Sequence, residues 1–552
     1  LASREIDRVA KRVGKWRGGS PAAEKSDMPL FDRRQLLSAG APLALILTGL
    51  GGRCGIAAEP APPGEATFDM AGLRQIARSL AAKPYLAQKP PAPDAVSKID
   101  FDVVQKIKFR PDRALWAAGE GRFPVRFFGL DKFNPLPVKI NDSSGAVARA
   151  IVYSPQDFDF GDTGLAAELP ADAGFSGFRV MNGGEQDTDW LAFQGASYFR
   201  SSGEDNQYGA SARGVAVDTG TSRQEEFPRF VEFWLEQPDK GQPSITIFAL
   251  LDGPSLTGAY RFVATKGSGA VIDIDAQLFI RNDINQLGIA PLTSMYWFGE
   301  NDQRAALDWR PEIHDSDGLE LWTGKGERIW RPLIDPPSLL VNSFLDENPK
   351  GFGLMQRDRD FDDYQDDGAF YNRRPSIWIE PKGDWGAGAV QLVEIPTQDE
   401  IHDNIVAYWK PKQPVKAGDE ISLSYRLYWQ NQNPQPASDT ARIVATRIGR
   451  GGVPGKPAPT DKDSWKFVVD FTGGPLADMA PRFDVTPVVT LSRGKIVNPY
   501  VIKVVGTKKW RALFDVYAPG KERIDLRCFL RLEGKTLSET WLYQFFPPPG
   551  TA

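Results

Sequence analysis

Ser244-Ile245-Thr246-Ile247-Phe248-Ala249-Leu250-Leu251, with Arg229-Phe230-Val231-Glu232-Phe233-Trp234-Leu235 shortly before it, decides the fold class. Both stretches are dominated by β-branched and aromatic residues, and both stop at Gly, Pro, Asp or Asn, which is how short strands are written. Phe123-Pro124-Val125-Arg126-Phe127-Phe128 reads the same way, and strand-like text continues from Phe101 onward. Helical spacing is confined to Phe68 to Leu86, where Met70, Leu73, Ile76, Ala77 and Leu80 mark one amphipathic helix. The chain is therefore expected to be all-β.

Its 552 residues exceed one ordinary core, so two domains are expected. A strand, Ile421 to Trp429, closes the first. The polar, Pro-rich Gln430 to Ser438 follows it, and Gly449 to Thr460 is a Gly/Pro loop. Beyond about 440, strands are expected at Trp465 to Phe471, Thr486 to Leu491, Trp510 to Tyr517, Ile524 to Leu532 and Thr540 to Phe546. Roughly a hundred residues of short spaced strands predict an immunoglobulin-like sandwich. The expected plan is a helix and Pro-rich lead-in over 60–94, a large two-sheet β-sandwich over 95–430, a linker over 431–439 and the smaller sandwich over 440–548.

The amino terminus reads as an export signal. Asp32-Arg33-Arg34-Gln35-Leu36-Leu37 precedes an uncharged apolar run, Ala41 to Leu50, and small residues lie near Ile56-Ala57-Ala58. Paired arginines before two leucines resemble the twin-arginine signal. The run is too short to span a bilayer, which takes roughly 20 apolar residues. Residues 1–59 are accordingly set aside as an amino-terminal extension and signal peptide. Met28 is a candidate start that would leave 1–27 untranslated.

Composition narrows the chemistry. A net charge of −5 offers no grip on nucleic acid or anionic lipid. Two histidines and two cysteines rule out a His-rich metal site, and Cys528 in an apolar stretch reads as a small buried hydrophobe. No phosphate loop, dinucleotide fingerprint, zinc spacing or G-x-S-x-G elbow accompanies His314 or His402, so no metal or cofactor is expected. Carboxylates beside aromatics remain. The densest run is Asp358-Arg359-Asp360-Phe361-Asp362-Asp363-Tyr364-Gln365-Asp366-Asp367-Gly368-Ala369-Phe370-Tyr371. One of these aspartates, desolvated near the others, should keep a proton, the equipment for donating to a glycosidic oxygen. A solvated acidic loop is the competing reading; calcium binding lacks the EF-hand register. Asp315 and Asp317 form a second acidic pair, open to a turn-capping reading, and Asp283 is a third candidate. Seven tryptophans (297, 309, 322, 330, 378, 385 and 409) default to core packing, but are enough to supply flat faces for a sugar.

Several blocks carry a family resemblance: Tyr208 to Gly214 (YGASARG), Leu287 to Met295 (LGIAPLTSM), His314 to Gly318 (HDSDG), Asn348 to Leu354 (NPKGFGL), Arg374 to Trp378 (RPSIW), Glu394 to Thr397 (EIPT) and Ser538 to Gln544 (SETWLYQ). Together they resemble the osmoregulated periplasmic glucan biosynthesis proteins of the G/D type. The arginine pair and Tyr364-Gln365-Asp366 look more like the D branch. The resemblance implies a large β-sandwich joined to an immunoglobulin-like domain, a periplasmic location, and inverting hydrolysis or transglycosylation of β-1,2-glucan. Carried over, the family's general acid falls on Asp366. Gly368 and Ala369 stand where the G branch has further acids, which puts the subsites in question. Inverting carboxyls stand roughly 6.5–9.5 Å apart, so adjacent Asp367 is a poor base. Asp283, Asp315 and Asp317 are the base candidates. Tyr364, Asp367, Arg374, Trp378 and Trp409 are the expected substrate contacts. The alternative is a non-catalytic glucan-binding scaffold for an inner-membrane glucosyltransferase, and a homodimer is a further candidate assembly.

Overall fold

The computed structural model describes residues 68–548 other than 118–122, 146, 184–186, 240, 303–307, 454 and 458–461. The expected signal segment lies outside the described residues. Among them, no helix is long and apolar enough to cross a membrane.

The two diagnostic stretches become strands Arg229–Glu236 and Ser244–Asp252, paired antiparallel. Leu256–Lys266, Ala270–Ile280 and Glu420–Gln430 extend the meander in register, with Ile274 opposite both Phe262 and Tyr425. Along Ala270–Ile280 the side chains alternate, so Ile272, Ile274, Ala276 and Leu278 enter the core while Asp273 and Asp275 face out. That is the period of two expected of a strand packed on one face. This sheet has 15 strands and faces a second sheet of 10. Phe178, Phe193, Phe199, Phe230, Phe233 and Phe262 fill the space between in edge-to-face and stacked contacts.

The amphipathic segment forms helix Met70–Ala81, capped by the Asp69 carboxylate accepting from Gly72 N at 2.6 Å. It is shorter than its pattern because Pro84 follows: the residue before proline is driven out of the helical region. Leu73 and Ala77 pack on Trp234, Phe248 and Phe279, covering the outer face of the large sheet.

The carboxyl-terminal strands form the smaller, immunoglobulin-like sandwich. Thr486–Leu491, Trp510–Tyr517 and Ile524–Leu532 have the expected bounds, and Ser464–Thr472 and Thr540–Phe545 differ by one residue at their ends. One layer is four-stranded. The other is continuous with the large sheet, because Thr540–Phe545 pairs in parallel with Arg328–Pro332, Trp541 opposite Trp330. The small core (Phe467, Phe514, Trp541, Tyr543) therefore also takes in Trp330, Ile334, Met355 and Trp378 from the large sandwich. The stretch 431–439 is bonded down: Asn433 donates to Glu320 at 2.6 Å and Gln435 O accepts from Arg328 at 2.8 Å.

Candidate active site

The acidic run folds as one turn of helix, Phe361–Tyr364, ended by Gln365 in the left-handed region at φ 56°. That turn sets Asp366, only 8% exposed, against the loop that carries Arg310. Asp366 Oδ1 accepts from Gly368 N at 2.8 Å and Ala369 N at 2.7 Å, and Oδ2 from Arg310 Nη1 at 2.8 Å. Burial pushes its pKa up. The Ala369 N–H, the Arg310 bond and the Gly368 N–H together outweigh that and hold it below the ordinary aspartate value. At rest, Asp366 is an ionised carboxylate.

Arg310 is the hub of this group. It also grips Asp308 through Nε and Nη2 at 2.9 and 3.0 Å, and Glu400 through Nη1 and Nη2 at 2.8 and 3.3 Å. Tyr371 OH donates to Glu400. Beside the hub stands Trp309, 72% exposed, with the Arg310 guanidinium 5.9 Å from its ring. Of the seven tryptophans it alone stands open. Trp330, Trp378 and Trp409 are buried, and the other three are half-buried.

A second carboxylate group lies behind Tyr364. A small recess between the two sandwiches is lined by Glu300, Glu312, His314, Asp317, Asp358 and Arg357. Gln356 Nε2 donates to the carbonyls of His314 and Tyr371, so its Oε1 accepts from His314 Nδ1 at 2.9 Å. His314 Nε2 then faces Glu312 at 2.9 Å with one proton between them. Burial lowers the His314 pKa, but the Glu312 bond and nearby carboxylates raise it further than burial depresses it. Asp358 lies within 4.8 Å of both, and its carboxylate has no hydrogen-bond partner among the described residues. Burial, then the charges of Asp317 and Glu312, push it well above the ordinary value. Glu300 is raised to about 8, chiefly by burial. Glu312, His314 and Asp358 also have the donor set and spacing to hold a metal ion.

The expected site residues fall into three environments. Asp317 belongs to the recess: its Oδ2 accepts from Arg357 N at 3.0 Å, its Oδ1 is buried without a partner, and burial raises its pKa. The next residue must be glycine, since a Cβ on Gly318 would stand 2.2 Å from the Trp330 ring. Asp315 is fully buried and ion-paired with Arg374, which also donates to Ala369 O at 3.1 Å and stacks on Tyr371 at 4.0 Å. This pair pins the backbone after Asp366. Asp283 lies apart on an exposed loop, bonded to Lys416 at 2.8 Å, and that bond lowers its pKa. Asp367 is solvent-exposed.

Of the expected substrate contacts, Tyr364, Trp378 and Trp409 are buried and none has a free ring face. Tyr364 is walled in by His314 and Tyr371, Trp378 by the small core and Trp409 by the large one. Arg310, Glu400 and Asp358 were not singled out from sequence. Asp358 sits in the acidic run, where the argument for one proton-holding aspartate already applied.

The family described as "Periplasmic glucan biosynthesis protein, MdoG" matches residues 68–545. "Glucans biosynthesis protein D" of Xanthomonas campestris pv. campestris is 50% identical over 489 residues, 88% of this chain and 91% of that protein. "Glucans biosynthesis protein D 2" of Ralstonia nicotianae is 50% identical over 534 residues, 94% of this chain and 98% of that one. A solved galactose mutarotase related enzyme from Lactobacillus acidophilus is similar at a TM-score of 0.21 and 10% identity, over 47% of this chain and 91% of its own, too remote to bear on the site.

Proposed function

This chain belongs to the periplasmic glucan biosynthesis protein family, and from that premise we propose that it binds β-1,2-linked glucan and cleaves or transfers it with inversion at the anomeric carbon, Asp366 acting as the general acid. The observation that carries this reading is a buried carboxylate held in place beside an open tryptophan face. Flat aromatic faces suit the apolar faces of glucose rings, and oriented carboxylates suit its hydroxyls.

Asp366 must take up a proton before it can donate one. Glucan closing over it would remove the remaining water and raise its pKa. The Arg310 bond is the contact to be exchanged. Its loss leaves Arg310 paired, because Asp308 and Glu400 still hold the guanidinium. Glu400 is an unsuitable inverting base: its Oε2 and Asp366 Oδ2 both sit 2.8 Å from the same Arg310 nitrogen, which keeps those oxygens closer than roughly 6.5 Å. Asp317, with one oxygen unpartnered, is the favoured base of the three candidates; Asp315 is committed to Arg374 and Asp283 to Lys416.

One observation favours a different division of labour. Environments that push two carboxyls apart in pKa assign acid and base, and here Asp358 holds the proton while Asp366 does not. In that reading Asp366 is the base or a binding group.

Glucan binding by Trp309→Ala tests the site's location. Loss of an aromatic platform worth about 1–2 kcal/mol should weaken affinity for linear β-1,2-glucan roughly five- to thirtyfold in titration calorimetry. Unchanged affinity would place the glucan elsewhere.

A further inference from the structure

At one end of the small sandwich two large apolar side chains stand almost fully in solvent, Phe483 at 96% and Val505 at 97%. Three loops meet there. Strand Thr486–Leu491 leaves this end and strand Lys495–Lys503 returns to it, and Lys503 Nζ donates to Met479 O at 2.6 Å, tying the 479–485 loop to the 504–509 turn. Thr486 pairs with Arg531, which brings in the hairpin tip at 533–534. Arg531, Lys508, Lys509 and Lys535 are exposed at this end and have no ion-pair partner among the described residues. Basic residues outnumber acidic ones over 440–548, the reverse of the chain as a whole.

We infer that this loop end docks reversibly on an anionic phospholipid surface. Exposure this complete means that nothing packs beside either side chain, so both project from loop tips instead of lining a face or groove. Projecting apolar tips ringed by free lysines fit a deformable, negatively charged layer, where the rings and methyls sink below the headgroups and the ammonium groups stay among the phosphates. A partner that adds a strand is disfavoured by the neighbouring edge. Lys495–Lys503 carries a bulge between Val497 and Tyr500 and a proline, Pro499, both of which interrupt edge pairing. The acidic net charge of the chain, which by itself offers no lipid grip, conceals this local reversal. The inference does not depend on catalysis at Asp366.

The test is co-sedimentation of the purified full chain with vesicles of phosphatidylethanolamine containing phosphatidylglycerol, and with vesicles of phosphatidylcholine alone. Phe483→Ser/Val505→Ser and Lys508→Glu/Lys509→Glu are compared with the parent. All three share residues 1–67, so differences report the loop end, and circular dichroism confirms that each is folded. The parent should partition onto the anionic vesicles and lose most of that binding in high salt. The serine pair should reduce it about tenfold or more, from the lost burial of two apolar side chains. The glutamate pair should reduce it about twentyfold or more, at roughly fivefold for each lysine removed. No binding of the parent to anionic vesicles overturns the inference, as does equal binding by the serine pair. Retention only through an added acidic protein, with none on lipid, overturns it in favour of a protein partner.

Discussion

Replacing Arg310 with methionine keeps much of the side chain's length and removes its charge, and the site's geometry fixes what should follow. Asp366 loses its single cation and keeps its two N–H donors. An opposite charge at such range lowers a carboxyl by about 1–3 pH units, so its removal should raise Asp366 by that amount. Breaking a buried ion pair from one side costs about 3–5 kcal/mol. Here the carboxylates retain other donors, Tyr371 on Glu400 and the two amides on Asp366, so a loss nearer 2–3 kcal/mol is expected. The assay is the pH dependence of kcat/KM on linear β-1,2-glucan, with the Asp366 carboxyl followed by carbon NMR. If Asp366 donates the proton, the descending alkaline limb moves up by about 1–3 pH units in Arg310→Met. If Asp366 is instead the base, the rising acidic limb moves up, and activity below neutrality falls. A profile with neither limb displaced, in a folded variant whose Asp366 titration has moved, would refute any proton-transfer role for this residue.

Three further outcomes are expected. Glu300 keeps a proton in the folded protein that it gives up when unfolded, so its contribution to stability declines as pH rises from the ordinary glutamate value of 4.5 to about 8; the fall in Tm across that window should be smaller in Glu300→Gln, and an equal fall would assign the proton elsewhere. Arg33→Lys with Arg34→Lys should leave the protein in the cytoplasm on fractionation, whereas normal periplasmic recovery would sink the twin-arginine reading. A fragment beginning at about residue 440 should show a β-sheet circular dichroism spectrum but self-associate on gel filtration, because the Thr540–Phe545 edge and the face under Trp330 and Trp378 are uncovered; a random-coil spectrum would count against the boundary.

What could be read in the sequence was what repeats along it. Ala270–Ile280 and Ile524–Leu532 alternate between core and solvent, and their residues say so. Lys495–Lys503 escaped because it is an edge strand, exposed on most positions and interrupted by Pro499, so no alternation survives. The continuity of the two sandwiches escaped for a different reason. Ile329 and Thr540 pair across more than two hundred residues, and neither stretch carries a mark of its partner. The same limit governs the site. Asp366 stands out as a candidate because the local wording around it carries a family resemblance. Arg310, which helps set its charge state, and Glu400, which shares that guanidinium, come from separate loops. Trp309 and Trp409 are equivalent as letters, yet one faces water and the other is buried in the large core against Trp385. The Asp315–Arg374 pair joins two of the quoted blocks, so both blocks were visible but their contact was not.

The central claim, that Asp366 carries the chemistry of a glucan-processing site, meets its most direct test in the products formed from linear β-1,2-glucan. Asn at 366 would still offer a carbonyl oxygen to Gly368 and Ala369, so the loop should hold. General acid catalysis is worth about 10²–10⁴-fold, and Asp366→Asn should lose at least that much turnover while binding glucan as before. Asp367→Asn, exposed and outside the Arg310 group, should change little. In the parent, proton NMR of the first products should show the inverted α-anomer. Parental turnover in a folded Asp366→Asn variant would contradict the account, and glucan binding without any turnover in the parent would establish the scaffold in its place.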